Sequence, residues 1–167
     1  MERTHSYETT ITWKGNAGTG TKDYRAYSRD HEISMDGKPV IQGSSDPSFR
    51  GDHSKHSPED LLVSSLSGCH MLWYLHLCAS SGVVVTHYVD QAVGQMVENP
   101  DGSGQFWSVT LRPTVTVTEE SMIEKAKTLH ADAHRMCFIA RSVNFPVEHL
   151  AEVLVEMNDT NDSNPPS

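Results

Sequence analysis

Two of the three cysteines in this 167-residue chain lie in segments that suggest thiol chemistry. Cys69 stands in the stretch Gly68-Cys69-His70, which follows several serines and a charged helix start at residues 57–62. Cys137 lies in a later segment that is rich in histidine. A thiol reacts when it is accessible and a nearby cation or helix dipole favours the thiolate, whereas many free cysteines are simply buried as small core residues. If Cys69 and Cys137 meet in the fold, they could form a catalytic dithiol.

The third cysteine, Cys78, provides an internal comparison. It lies nine positions after Cys69 in the same predicted helix. At about 100° per residue, the two side chains point to opposite faces, so they cannot line one pocket. Cys78 lies among Tyr74, Leu75 and Leu77, which indicates a packing role.

A different site would combine His130, His134 and Cys137, which are spaced i, i+4 and i+7 along one predicted helix. Residues at this spacing share a helix face. Imidazole and thiolate are both good zinc ligands, so the face could bind zinc. Alternatively, the two histidines are solvated on a polar face, and Cys137 is the second thiol of the dithiol. The residues leave these alternatives open.

Charged side chains near the first cysteine offer a way to activate it. Glu59 falls in the first turn of the predicted helix, where the helix dipole favours a carboxylate in any protein. It could also orient an arginine near the thiol. The candidates are Arg50 in the preceding loop and Arg25 or Arg29 further upstream, although an exposed arginine is usually just a solvated charge.

Two helices must position these residues. Ser57 fits the N-cap of the first helix, Pro58 its first position and Asp60 the partner of a capping box. Gly82 can end this helix in a left-handed conformation, so we predict a helix from Ser57 to about Ser81. A second helix is predicted over residues 119–141, with Thr118 as its N-cap.

Strands are predicted around both helices. Alternating or β-branched residues indicate strands at 7–13, 24–33, a short segment through 40–41, 83–97, 105–117 and 150–155. A hairpin connection is predicted at residues 99–104. We expect one domain over residues 1–157, followed by a disordered polar tail at 158–167.

Composition narrows the classes of protein that fit. The net charge of −9 opposes nonspecific binding to nucleic acid and to anionic membranes. The sequence has no run of about 18 apolar residues, so we predict no membrane-spanning helix. The first residues have no apolar segment of the kind found in a secretory signal. The chain has three cysteines, an odd number that cannot all pair in disulfides. We therefore expect a protein of the reducing cytoplasm without a disulfide framework.

The segment Pro58-Glu59-Asp60-Leu61-Leu62, followed by small residues and then Cys69, resembles the OsmC/Ohr family of thiol-dependent organic hydroperoxide reductases. The order of strands, long helix, long hairpin, helix and strand is also similar. This resemblance implies an α+β fold in which curved antiparallel sheets surround two long central helices. It also implies an intertwined homodimer.

The resemblance also implies roles for individual residues. Cys69 matches the peroxidatic cysteine, Cys137 the resolving cysteine, and Glu59 the glutamate that holds the active-site arginine. The OsmC-type placement of that arginine favours Arg50, whereas the Ohr-type placement favours an arginine at position 25 or 29. Two residues depart from the family pattern: Phe138 stands where proline is common, and His70 where a hydrophobic residue is expected.

The function implied is a peroxidase that reduces organic hydroperoxides to alcohols. It would act through a Cys69 sulfenic acid and a Cys69–Cys137 disulfide that an external dithiol reduces, without a metal or organic cofactor. Glu59 and Cys69 lie about 15 Å apart along a straight helix, so we also expect the arginine–glutamate pair to come partly from the second subunit. The alternatives are a metal-binding module using the two histidines and Cys137, and a non-catalytic ligand-binding dimer of the same fold.

Overall fold

The computed structural model describes residues 3–157. The chain forms two compact units, which divide between Leu62 and Val63. The predicted disordered tail at 158–167 lies outside the described residues. Each unit is built from its own antiparallel strand pairs, and the cysteines all belong to the second.

The first unit contains a three-stranded antiparallel sheet in the order β1-β2-β3, formed by Thr10–Trp13, His31–Ser34 and Ile41–Gly43. The prediction of a strand over 24–33 is wrong for most of its length. The Arg29 guanidinium donates hydrogen bonds to the carbonyls of Tyr27 at 2.7 Å and Tyr24 at 2.9 Å. These bonds close the segment into a compact loop, so the strand begins only at position 31. The first strand is likewise shorter than predicted.

Helix α1, Pro58–Ser80, has the ends that the sequence predicts. The Ser57 backbone N–H donates to the Asp60 carboxylate at 2.9 Å, and the Asp60 N–H donates to the Ser57 hydroxyl at 3.1 Å. This reciprocal capping satisfies two of the amides that a helix start leaves unpaired. At the other end, Gly82 has a φ of 75°, and the Val83 N–H donates to the Cys78 carbonyl at 2.9 Å.

The buried side of α1 is a single stripe. Its members recur every four residues, so they face one direction and pack into the core. By length and composition alone, α1 is the one helix in residues 3–157 that could cross a membrane, although the core helix of a soluble protein meets the same criteria. The buried residues of the stripe are Leu66, His70, Tyr74 and Cys78.

The second unit contains two mixed three-stranded sheets instead of two long predicted strands. The predicted strand at 83–97 divides into β4, Val85–Asp90, and β5, Val93–Glu98. The predicted strand at 105–117 divides into β6, Gly104–Leu111, and β7, Pro113–Val117. The physical cause lies at Asp90, whose carboxylate accepts the Arg112 N–H at 2.6 Å. That amide is therefore withdrawn from strand pairing where the two strands bend.

The last strand segment is also divided. β8, Val147–His149, pairs in parallel with β6, and β9, Glu152–Val155, pairs in parallel with β7. These parallel pairs complete the sheet orders β5-β6-β8 and β4-β7-β9. β9 lies within the strand predicted at 150–155, β8 is an additional strand that precedes it, and the two parallel pairs stand in sheets whose other pairs are antiparallel. The hairpin predicted at 99–104 is confirmed, with the Asn99 N–H donating to the Ser103 carbonyl at 2.7 Å.

Helix α2, Ile123–Met136, is shorter than predicted at both ends. A short 3-10 turn at Glu120–Met122 precedes it, and Thr118 does not cap it. The backbone leaves the helical conformation at Cys137, where ψ is 111°. The buried face of α2 packs with α1 and the β4-β7-β9 sheet in one core; its members are Ala126, Leu129, His130 and Ala133.

Candidate functional site

The two cysteines singled out by their segments do meet. Cys69 lies in the middle of α1 and is half-buried, while Cys137 is fully buried at the end of α2. The two side chains lie close enough to interact, and Cys69 contributes to the raised pKa of the Cys137 thiol. Both thiols are free, so this is a reduced pair rather than a disulfide. The arrangement brings together two residues that are far apart in the chain.

The chemistry of Cys137 differs from that of a reactive thiol. Burial, followed by the interaction with Cys69, raises the pKa of the Cys137 thiol to about 11. At neutral pH it is therefore protonated and can donate its hydrogen to the Cys69 sulfur. The Cys137 sulfur in turn accepts the Ala140 N–H at 3.4 Å. A buried, protonated thiol beside a half-buried one suits a resolving cysteine better than an attacking one.

Cys78 lies apart from this pair, as its position along the helix predicts. It is buried in the core in the same cluster as Tyr74. Burial raises the pKa of the Cys78 thiol. Its environment is that of an inert packing residue.

A small apolar cavity opens on the Cys69 side of α1. It has a volume of about 270 Å³ and is lined by Leu72, Trp73 and His76. These residues follow Cys69 at three, four and seven positions, which places all four on one helix face. Phe138 packs edge-on against the Trp73 ring at 5.5 Å. The thiol pair therefore adjoins a surface that can accommodate an apolar group.

The three candidate arginines belong to the first unit and have different environments. Arg29 stacks on the rings of Tyr24 and Tyr27 at 4.2 and 4.3 Å, and its guanidinium is engaged by their carbonyls. Arg25 is exposed. Arg50 is exposed and sits in a left-handed backbone conformation with a φ of 66°. Arg29 therefore has a structural role, whereas the Arg50 guanidinium lies farther from the Tyr24 ring, 6.0 Å from its centroid.

Glu59 is half-buried in the first turn of α1. Its Oε2 atom is buried without a hydrogen-bond partner. A buried carboxylate oxygen without a partner is costly, because it has lost its hydration. This atom is therefore a natural acceptor for a cationic side chain.

The metal site considered from the sequence is not formed. No group of three or more His, Cys, Asp or Glu side chains in residues 3–157 is arranged to hold a metal ion. His130 is buried rather than solvated, and its Nδ1 lies 3.0 Å from Nε2 of His70 in a hydrogen bond. His130 is therefore paired with another imidazole through one ring nitrogen and buried in the core, away from a metal-ligand set with His134 and Cys137.

His70 is the residue whose importance the sequence did not reveal. The sequence marks His70 only as a departure from the family pattern and does not indicate its partner. The His70–His130 contact joins α1 to α2, and His149 from β8 lies 5.6 Å from the His70 ring. The available signal was the four-residue recurrence of His70 with Leu66 and Tyr74, which predicts a buried position.

Among known proteins, the OsmC-like protein family matches residues 51–150. A solved OsmC-like protein of unknown function from Vibrio cholerae is 31% identical, with a TM-score of 0.80 over 89% of this chain and 99% of that protein. No curated protein matches the chain.

Two more distant structures show the same fold. An organic hydroperoxide resistance protein from Elizabethkingia anophelis, with thiocyanate bound, is 16% identical, with a TM-score of 0.67 over 93% of this chain and 100% of that protein. An organic hydroperoxide resistance protein OsmC from Legionella pneumophila is 15% identical, with a TM-score of 0.66 over 92% of this chain and 100% of that protein. The predicted OsmC-like α+β fold is thereby confirmed. Given the family match over more than half its length and the similarity to the V. cholerae protein, the chain belongs to the OsmC-like protein family.

Proposed function

We propose that this protein is a cytoplasmic thiol-dependent peroxidase that reduces organic hydroperoxides to alcohols. One observation carries the proposal: the half-buried Cys69 thiol lies beside the buried, protonated Cys137 thiol. Family membership supports a peroxide-related redox function, and two proteins of the same fold are named for organic hydroperoxide resistance. The pair supplies the two thiols that such chemistry needs.

The first step uses the Cys69 thiolate as the nucleophile. Its thiolate attacks the distal oxygen of the hydroperoxide, so an S–O bond forms and the O–O bond breaks. The alkoxide leaves with the electron pair and takes a proton to become the alcohol. Cys69 is left as a sulfenic acid, the first and reversible state of cysteine oxidation.

The second step uses Cys137. Its sulfur attacks the Cys69 sulfenic acid, an S–S bond forms, and the S–O bond breaks with release of water. An external dithiol then reduces the Cys69–Cys137 disulfide by thiol–disulfide exchange. The cycle uses side chains of the protein and requires no metal or organic cofactor.

The cavity beside Cys69 fits the organic part of the substrate. Leu72 and Trp73 offer apolar surface next to the thiol, whereas hydrogen peroxide has no group to occupy it. Apolar burial contributes about 25 cal/mol per Å² removed from water, so an alkyl or aryl group gains affinity here. We therefore place the organic group of the hydroperoxide against these two side chains.

The function is tested by peroxide consumption in the presence of a dithiol reductant such as dihydrolipoamide or dithiothreitol. Cumene hydroperoxide and a fatty-acid hydroperoxide are expected to be consumed with a higher kcat/KM than hydrogen peroxide. Equal or lower rates with the organic peroxides would contradict the proposed substrate class. An absence of peroxide consumption by protein with both thiols reduced would contradict the activity itself.

Arg50 is the proposed activating cation, held by Glu59. Arg50→Ala is expected to slow alkylation of Cys69 by iodoacetamide at pH 7 by about tenfold or more, because a cation close to a thiol favours the thiolate. The rate is measured by mass spectrometry of the Cys69 peptide. Arg25→Ala and Arg29→Ala serve as matched controls. If one of these controls slows the reaction and Arg50→Ala does not, the activating arginine lies upstream instead.

The proposed assembly is a homodimer. Leu72 on α1 is 65% exposed, and Phe138, which follows the resolving cysteine, is 66% exposed. Apolar side chains clustered on a surface beside a functional site usually mark an interface. Sedimentation velocity is expected to give a species of twice the chain mass at micromolar concentration. A purely monomeric species with full peroxidase activity would contradict the assembly.

A further inference from the structure

Four histidines from three elements of the second unit form a contiguous stack, defined here as His70, His130, His134 and His149. Nε2 of His70 and Nδ1 of His130 are 3.0 Å apart, and the two rings lie 4° from parallel. The His149 ring lies 5.6 Å from that of His70 and 6.0 Å from that of His130. His134 lies 5.8 Å from His149. The stack therefore connects α1, α2 and β8.

The central pair of the stack is desolvated. His70 and His130 are each 1% exposed, and His130 also stacks on the Tyr74 ring at 3.9 Å. Nδ1 of His70 and Nε2 of His130 are buried without a partner. A hydrogen bond in such an environment is strong, and its loss is costly. Burial lowers the pKa of His70 to about 4 and that of His130 to about 3, so both rings are neutral at pH 7.

The position of this pair relates it to the thiols. His70 directly follows Cys69 on α1. On α2, the His134 carbonyl accepts the Cys137 N–H at 3.2 Å, and His130 lies one turn before His134. The His70–His130 hydrogen bond therefore ties the two helices together next to the two cysteines that they carry.

We propose that the His70–His130 hydrogen bond is a positioning element for disulfide formation: it holds α2 against α1 so that Cys137 reaches the oxidised sulfur of Cys69. This inference rests on the proposed function. The two residues act through the cysteines and touch no substrate. Their role belongs to the second chemical step, since the first takes place on Cys69 and does not involve Cys137.

The geometric demand of the second step explains why a tie is needed. A disulfide requires an S–S distance of about 2.0 Å and a Cβ–Cβ distance of about 3.5–4.5 Å. A sulfenic acid that is not resolved in time is oxidised further to sulfinic acid, which is irreversible for most proteins. A small loss of register between α1 and α2 therefore diverts the enzyme from turnover to inactivation.

Acid is expected to release the tie. A proton on either ring places an unpaired charge in the core, and a second proton removes the acceptor nitrogen. The ionisable groups that face the pair are His149 from β8 and His134 from α2, together with Tyr74 from α1. Behind Tyr74 lie Cys78 and, from β4, Tyr88. All of these are neutral acids or histidines, so none offers a negative charge to a protonated ring at acidic or neutral pH.

The experiment measures the two chemical steps separately in three variants. These are His70→Leu, His70→Gln and, as a control at an exposed histidine, His87→Leu. Reduced protein is mixed with cumene hydroperoxide, and samples are quenched for dimedone trapping of the sulfenic acid and for disulfide quantification. In His70→Leu, sulfenic acid formation is expected to be unchanged. Disulfide formation is expected to slow by about 10- to 100-fold, the effect of misplacing a reacting group by about 1 Å.

His70→Gln retains a side-chain donor for His130 and is expected to recover most of the rate, while the His87→Leu control matches wild type. Lowering the pH from 7 to 5 is expected to leave the ratio of wild-type to His70→Leu resolution rates unchanged, because both rings of wild type stay neutral above their lowered pKa values. Resolution in His70→Leu at the wild-type rate would overturn the proposal. So would His70→Gln resolving as slowly as His70→Leu.

Two further arms keep the result interpretable. Diamide oxidises dithiols directly, without peroxide, and its disulfide step has the same geometric demand. If wild type does not react with peroxides, the proposed function fails, and the diamide arm still decides whether His70 positions the thiols. If His70→Leu does not fold by circular dichroism, His130→Leu replaces it, with slower resolution expected and an unchanged rate counting against the proposal.

Discussion

Replacing Cys69 by serine is expected to abolish dithiol-dependent reduction of organic hydroperoxides, with a loss on the order of 10³-fold or more. A serine hydroxyl is not ionised at neutral pH and cannot attack the distal peroxide oxygen. Nothing else near the site can substitute, because Cys137 is buried and protonated and Cys78 lies in the core. The measurement is peroxide consumption coupled to dithiol oxidation.

Replacing Cys137 is expected to have a different signature. Cys137→Ser should still consume one equivalent of peroxide, because Cys69 is intact. The sulfenic acid is then not resolved and proceeds to the sulfinic acid under excess peroxide. Mass spectrometry of the Cys69 peptide distinguishes these states from the disulfide.

Cys78→Ser provides the matched control for both variants. Its side chain packs in the core, so the variant is expected to retain turnover at some cost in stability. Peptide mapping of the mildly oxidised wild-type protein should find Cys69 linked to Cys137. A dominant disulfide that contains Cys78 would contradict the assignment of the dithiol.

The free energy of unfolding is expected to fall as the pH is lowered from 6.5 towards 4. The pKa values of His70 and His130 are lowered in the folded state, chiefly by burial, from an ordinary value of 6.5 to about 4 and about 3. Between these values the unfolded chain binds more protons than the folded chain. The histidine contribution is therefore fully present above pH 6.5 and is lost as the pH falls. For His70 alone the loss is on the order of 3 kcal/mol.

The carboxylates act in a separate pH window. Hydrogen bonding to Lys55 lowers the pKa of Asp30 below its ordinary value of 3.8, so that its contribution is kept until the pH falls through this lower range. Urea unfolding followed by circular dichroism at pH 7, 6, 5 and 4.5 therefore reports mainly on the histidines. The double variant His70→Leu, His130→Leu is expected to show a flatter dependence, whereas His87→Leu should match wild type. An equally steep dependence in the double variant would contradict the assignment.

Local sequence signals predicted the elements that begin and end with local hydrogen bonds. The caps of α1 are an example, since Ser57, Asp60 and Gly82 act within a few residues of each other. The hairpin at 99–104 is another. Helical periodicity placed Cys69 and Cys78 on opposite faces, and the motif from Pro58 to Cys69 indicated the family.

Predictions failed where a side-chain contact decides the local structure. The strand expected at 24–33 is a loop because Arg29 folds back onto carbonyls of the same segment. The long strand at 105–117 is broken because Asp90, on another strand, accepts the Arg112 N–H. Residue propensities carry no information about such partners, so periodic patterns alone extended these strands too far.

The sequence by itself determined that this chain has a helix with a well-placed thiol, a second cysteine after a histidine-rich helix, and the motif of an OsmC-like protein. Only the tertiary structure decided that Cys137 is buried against Cys69 and that His130 binds His70 rather than solvent. Both outcomes depend on the packing of α1 against α2. Desolvation and contacts between residues far apart in the chain arise only when those helices pack, and they set the protonation states of the thiol and the imidazoles.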